Sequence, residues 1–244
     1  MTLLEIATET VAGVRAAHAG GARRVELCSS LEVGGLTPSA GTILGARRST
    51  EIELMVLVRP RRGDFVYSSA ELETVRADVR VAKELGADGV VLGCLHPDGT
   101  IDRERTGELV DAARPLSVTF HRAFDHTRDL AEALEVLVEL GVDRVLTSGG
   151  APDVMSGIAD LAELVRQASD RIVILAGGGV REHNVRQLVL ATSVDEVHAS
   201  ASSWTESAMT HPGPGWGFDG PVAPEKAHRT VQEATVRRLL QAMH

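Results

Sequence analysis

The chain has 244 residues, 43% hydrophobic and 24% charged; it can bury a full core, and α/β barrels routinely occupy this length as one domain. The formal charge of -9 is spread along the sequence, aromatic residues make up 3%, and no Lys/Arg block is interleaved with them, which argues against a nucleic-acid partner. No apolar run approaches the roughly 18 residues of a membrane span, so no membrane partner is expected.

The opening MTLLEIATET has no basic n-region and no long apolar h-region, so a cytosolic location is expected. Leu3 to Ile6 reads as a first strand and Val25 to Cys28 as a second. The third, Ile52 to Val58, runs on so that Leu57, Arg59 and Arg61 share a face. Leu72, Val75, Val79, Ala82 and Leu85 then recur at helical steps. Val90 to Gly93 is a fourth strand. Leu116 to His121 is a fifth, and it ends in an ionisable cluster, His121, Arg122 and Asp125. DLAEALEVLVELG is a helix closing on Gly141, a natural C-cap. Val145 to Ser148, Ile172 to Ala176 and Val197 to Ser200 complete eight strands, with LAGGGVREHN leading from the seventh into a helix that starts near His183. The Pro/Gly-rich tail predicts an irregular loop at about 204–224 before a C-terminal helix. Eight strands alternating with helices predict a single (β/α)8 TIM-like barrel over residues 1–244, with a doubly wound sheet as the alternative.

A weak repeat supports closure. GGARRVELC, LGADGVVLG, LGVDRVLTS and ATSVDEVHAS each leave a helix and enter every second strand on a valine: Val25, Val90, Val145 and Val197. If these valines face the helices, alternation turns Glu26, Val91, Leu146 and His198 to the barrel axis, and Cys28, Gly93, Ser148 and Ser200 one layer nearer the rim. Buried charges need partners, so inward Glu26, Arg59 and His121 are expected to pair with one another or with a ligand. A self-neutralising Glu26–Arg59 pair and a satisfied core histidine are the structural alternatives.

Barrels often bind phosphate on backbone amides after strands seven and eight. Gly178 and Gly179 after the seventh, and Ser200 and Ala201 after the eighth, are the expected phosphate-binding positions. LAGGGVREHN lacks GxGxxG spacing, and no nucleotide cofactor is expected. The two cysteines, Cys28 and Cys94, form neither CxxC nor a zinc-site pattern and are expected to be free thiols.

GGARRVELCSSLEVGGLTPSAG, VRPRRGDFVYS, ELGADGVVLG, ARPLSVTFHRAFD, GVDRVLTSGG and GGGV, in this order, resemble the copper homeostasis protein CutC family over nearly the whole chain up to Ser202. The resemblance implies a TIM-like barrel, cytosolic and homodimeric or larger, linked to copper tolerance and Cu(I) binding. The chain departs from the family pattern where Ala7 and Val66 stand in place of two frequent cysteines and Arg62 in place of a glycine; Cys28 is retained and Cys94 is outside the shared pattern.

Two readings follow. Cu(I) prefers soft thiolate and imidazole donors, and Cys28, His121 and His198 form the candidate metal set, with Cys94 and His96 as a surface alternative. The other reading is a barrel enzyme acting on a small anionic or phosphorylated metabolite. There Arg59 and Arg61 clamp the anion, Glu26 or Asp125 is the general base, and His121 the acid or electrophile.

Overall fold

The structure is a computed structural model and describes residues 2–206, 208, 210, 211 and 227–243. Eight parallel strands close into a barrel in chain order: β1 (Leu3–Thr8), β2 (Arg24–Leu27), β3 (Glu53–Leu57), β4 (Gly89–Leu92), β5 (Ser117–Phe120), β6 (Arg144–Thr147), β7 (Val173–Gly177) and β8 (Glu196–Ala199). The ring is sealed by pairing of β1 with β8, which sets Glu5 opposite His198. Around it run α1 (Val11–Ala19), α2 (Ala40–Arg47), α3 (Ser69–Glu84), α4 (Arg103–Ala113), α5 (Leu130–Glu139), α6 (Ile158–Ala168) and α7 (Val185–Thr192). Every strand predicted from the sequence is present, within two residues of its expected ends, and the closed ring replaces the doubly wound alternative.

The helices begin where short polar side chains satisfy the free amides of the first turn. Thr10, Ser39, Asp102 and Asp129 accept from the amides of Gly13, Thr42, Arg105 and Glu132. Ser68 and Glu71 form a capping box at α3. α7 starts at Val185, slightly later than expected.

Val25, Val90, Val145 and Val197 are fully buried in the layer between strands and helices. Cys28, Met55, Leu57 and Val91 form a separate cluster within the ring. The parity read from the repeat is therefore the parity of the fold, and it turns the intervening polar residues inward.

After β8 the chain forms β9 (Ser202–Glu206), which pairs antiparallel with β10 (Ala227–Val231), and ends in α8 (Glu233–Ala242). Trp204 to Glu206, expected at the start of an irregular loop, are thus strand. Nearly all of the remaining 207–224 stretch lies outside the described residues.

Candidate functional site

The C-terminal end of the barrel opens into a cavity of about 420 Å³. Glu26 reaches it from β2, Leu146 from β6 and His198 from β8; Arg59 and His121 follow the ends of β3 and β5. Gly178 and Gly179 after β7 and Ser200 after β8 form part of its rim. Eight of the residues singled out from the sequence therefore meet in one place.

The floor is a chain of buried charges. His198 Nδ1 lies 2.7 Å from Glu5 Oε1, and the other Glu5 oxygen accepts from Arg24 Nε at 2.6 Å. Arg24 also binds Glu196, which pairs with Arg144 at 3.0 Å, and Arg144 donates to Ser117 Oγ. Burial works to raise the Glu5 pKa, but the His198 hydrogen bond and the Arg24 charge outweigh it and hold it at about 2. Burial likewise opposes a charged His198, yet its bond to Glu5 and the charges of Glu26 and Glu5 lift its pKa above the ordinary histidine value.

Glu26 stands beside this chain without joining it. It is 5% exposed, and its Oε2 has no hydrogen-bond partner among the described residues. Burial pushes its pKa up to about 7; the His198 charge pulls the other way and Glu5 adds to the rise. A carboxyl that ionises near neutrality, facing a cavity, has the properties of a general base.

The opposite wall carries His121 and Arg59. His121 Nδ1 accepts the Ala123 amide at 3.2 Å, which places the ring proton on Nε2, and that atom is buried without a partner. Burial pushes the His121 pKa down to about 3, with the Arg59 guanidinium adding to the effect. That direction favours the neutral imidazole, with its proton on Nε2. Phe65 packs against it with ring centroids 4.9 Å apart. A Cβ on Gly93 would come within 2.7 Å of His121 Cε1, so glycine there makes room for the imidazole. The terminal nitrogens of Arg59 are spent on structure, donating to the carbonyls of Val33, Gly35 and Gly63, and the guanidinium lies over Phe65, while its Nε is buried without a partner among the described residues. Arg59 does not pair with Glu26.

Several expected members are elsewhere. β3 ends at Leu57 and the chain turns, so Arg61 loses its strand parity and pairs with Asp64 and Glu71 outside the cavity. Asp125 sits in a 3-10 turn, Arg122–His126, where its carboxylate accepts from Arg122, Thr147, Ser148 and the Gly150 amide. So committed, it is not a free base. Ala201 has a left-handed φ of 46°, its carbonyl accepts the Gln232 amide, and it is not part of the lining.

Cys28 faces inward as expected but is sealed in the cluster with Met55, Leu57 and Val91. Its Sγ is 3.6 Å from the Thr8 carbonyl, and burial, with Glu26 adding, pushes its pKa well up. Cys94 belongs to the core between strands and helices, with its pKa pushed up to about 12 by burial and Asp102, while half-exposed His96 turns to Asp102. Among the described residues the only three metal-capable donors gathered within 4.8 Å are those of Glu5, Glu26 and His198. Cys28, His121 and His198 do not assemble into a metal set.

Glu5, Arg24, Arg144 and Glu196 were absent from the sequence-based candidates, although a signal existed. Glu5 lies between outward Leu4 and Ile6, and Arg24, Arg144 and Glu196 each precede an outward valine of the repeat. Arg122 and Arg181 also line the cavity.

The profile of the CutC family matches residues 2–203. A CutC family protein of Mesorhizobium japonicum is 49% identical over 220 residues, covering 90% of this chain and 85% of its own. A human protein named copper homeostasis protein cutC homolog is 44% identical over 207 residues, 85% of this chain and 76% of its own. A solved CutC structure from Streptococcus agalactiae superposes with a TM-score of 0.79 at 35% identity, covering 82% of this chain and 99% of that one.

Proposed function

The chain belongs to the CutC family, and from that premise we propose that the mouth of its barrel is an enzymatic site for proton transfer on a small anionic metabolite. The observation that carries this reading is Glu26, a buried carboxyl with an unpartnered oxygen at a cavity, beside the His198–Glu5 pair. A structural carboxyl at this depth is normally satisfied. One left open suits a ligand.

In this reading Glu26 takes a proton from the substrate. Glu5 holds the His198 ring through Nδ1, and the His198 charge lowers the cost of ionising Glu26 so close to Glu5. Arg181 and the Gly178–Gly179 turn, beside Arg122 in its pair with Asp125, supply a cationic, amide-rich rim for the anionic end. Two free, buried cysteines support a cytosolic setting.

Titration calorimetry with inorganic phosphate and 3-phosphoglycerate tests the anion part. Binding at one site per chain is expected, weakened about tenfold in Arg181→Ala through loss of a charge-assisted contact. Absence of binding, or equal binding by the variant, would overturn it.

Cu(I) fits the site poorly. Its donors are two carboxylates and an imidazole, which suit harder divalent ions, and Glu5 is already held by Arg24 and His198. The copper function named for the human relative thus finds no soft donor set at this mouth. Competition against a Cu(I) chelator is expected to give indistinguishable curves for the unmodified protein and Cys28→Ala; a tight site abolished by that substitution would restore the copper reading.

A further inference from the structure

We infer that His121 is an electrophilic catalyst, and that the substrate therefore carries a carbonyl group with a C–H bond beside it. The inference rests on the reading of the mouth as a proton-transfer site and names the substrate class that this site takes.

The geometry supplies open groups of opposite kind: N–H donors at His121 Nε2 and Arg59 Nε, and an acceptor at Glu26 Oε2. On one side His121 offers an N–H donor: Nδ1 is occupied by the Ala123 amide, so the proton sits on Nε2, which is buried and unpartnered. On the other side Glu26 Oε2 is a buried, unpartnered acceptor. Both line the same cavity, from β2 and from the end of β5, three strands apart around the ring.

A ligand that satisfies both presents an acceptor to His121 and a proton, donated or transferred, to Glu26. A carbonyl compound does both. As the C–H bond breaks, its proton passes to Glu26 Oε2 and its electron pair forms the carbon–carbon double bond of an enolate. The carbonyl π pair moves onto oxygen, where the His121 Nε2–H donates to the developing charge. The return of a proton from Glu26 completes the exchange, and no oxidant or co-reactant is required.

A neutral imidazole is the suitable form for this role. It stabilises the oxygen by hydrogen bonding, and a ring with pKa about 3 does not become charged at working pH. Phe65 and Phe120, with centroids 4.9 and 5.9 Å from the His121 ring, and the absent side chain of Gly93 fix the ring in place.

Two measurements test this. The protein is incubated in D2O with dihydroxyacetone phosphate or with pyruvate, and deuterium next to the carbonyl is followed by NMR. Catalysed wash-in of deuterium is expected. It should fall at least about 100-fold in His121→Leu, the effect of losing one oxyanion donor, with probe binding changed less than tenfold. Binding without catalysed exchange, or exchange that survives in His121→Leu, would overturn the role of His121 while the anion site stood. Absence of both binding and exchange would remove the reading of the mouth itself.

Histidine 15N spectra of the unsubstituted protein stay informative even where the variant fails to fold. His121 is expected to remain the neutral Nε2–H tautomer from pH 5 to 8, and a titrating ring or an Nδ1–H tautomer would sink the proposal.

Discussion

Replacing Arg24 with leucine is expected to destabilise the protein by about 3–5 kcal/mol, as breaking a buried ion pair by removing one partner does. The Arg24 side chain is fully buried, and its guanidinium serves Glu5, Glu196 and, at 3.5 Å, Glu53. Without it, Glu5 and Glu196 share the barrel interior against the charge of Arg144 and His198 alone. In a chain of this size the loss corresponds to a fall in melting temperature of roughly 10 °C. Urea unfolding of Arg24→Leu, Glu5→Gln and the double variant measures the coupling, and the double variant should recover part of the loss. The pH dependence has a defined sign. The folded pKa of Glu5 is depressed to about 2, so its favourable contribution is present above the unfolded value of 4.5 and disappears as pH falls through 2. The gap between the unmodified protein and Arg24→Leu should therefore be widest above pH 4.5 and narrow below it. A variant as stable as the parent would show that the interior charges are not a coupled network.

Glu26→Gln should separate stability from activity in the opposite direction. The folded pKa of Glu26 is raised to about 7, so its favourable contribution is complete below 4.5 and is lost as pH rises through 7. Above pH 7 the protein carries the cost of a buried, ionised carboxylate. The amide cannot ionise, so the variant should gain stability relative to the parent as pH rises from 4.5 to 7. The gain should level off near pH 8 at a value on the order of 3 kcal/mol. Carbonyl-adjacent exchange should meanwhile fall by at least about 100-fold. For the unsubstituted protein that exchange should increase with pH through about 7, as Glu26 becomes a base. A residue whose removal stabilises the fold and abolishes the chemistry is retained for function. Loss of stability in Glu26→Gln at pH 8 would instead make Glu26 a structural group.

The alternation of apolar and polar residues was enough to specify which way each strand residue faces, whereas closure in place of a doubly wound sheet came from the pairing of β1 with β8. Outward Val25, Val90, Val145 and Val197 fix strand parity, because burial against the helices rewards only one face. Parity then sends Glu26, Cys28 and His198 inward without further information. Local pattern carries this much because each strand solves the same packing problem with its own residues.

Which inward groups remain available is a different matter, decided by contacts between distant segments. Closure sets β8 against β1 and joins His198 to Glu5, 193 positions away, leaving Glu26 next to an ion pair that no local window contains. Arg59 and His121 reach the cavity as parity implied, but carbonyls from Val33, Gly35 and Gly63 hold the terminal nitrogens of the first and leave its Nε open, and the Ala123 amide fixes the tautomer of the second. Arg61 and Asp125 lie past the ends of their strands, where alternation no longer governs direction, and each found partners away from the cavity. Thus the sequence by itself determined the eight strands, the helices between them and the side that each strand residue faces, since these follow from periodic burial along the chain. Only the tertiary structure decided which charges neutralise one another and which are left open to a ligand, since electrostatic and hydrogen-bond partners are chosen by distance in space.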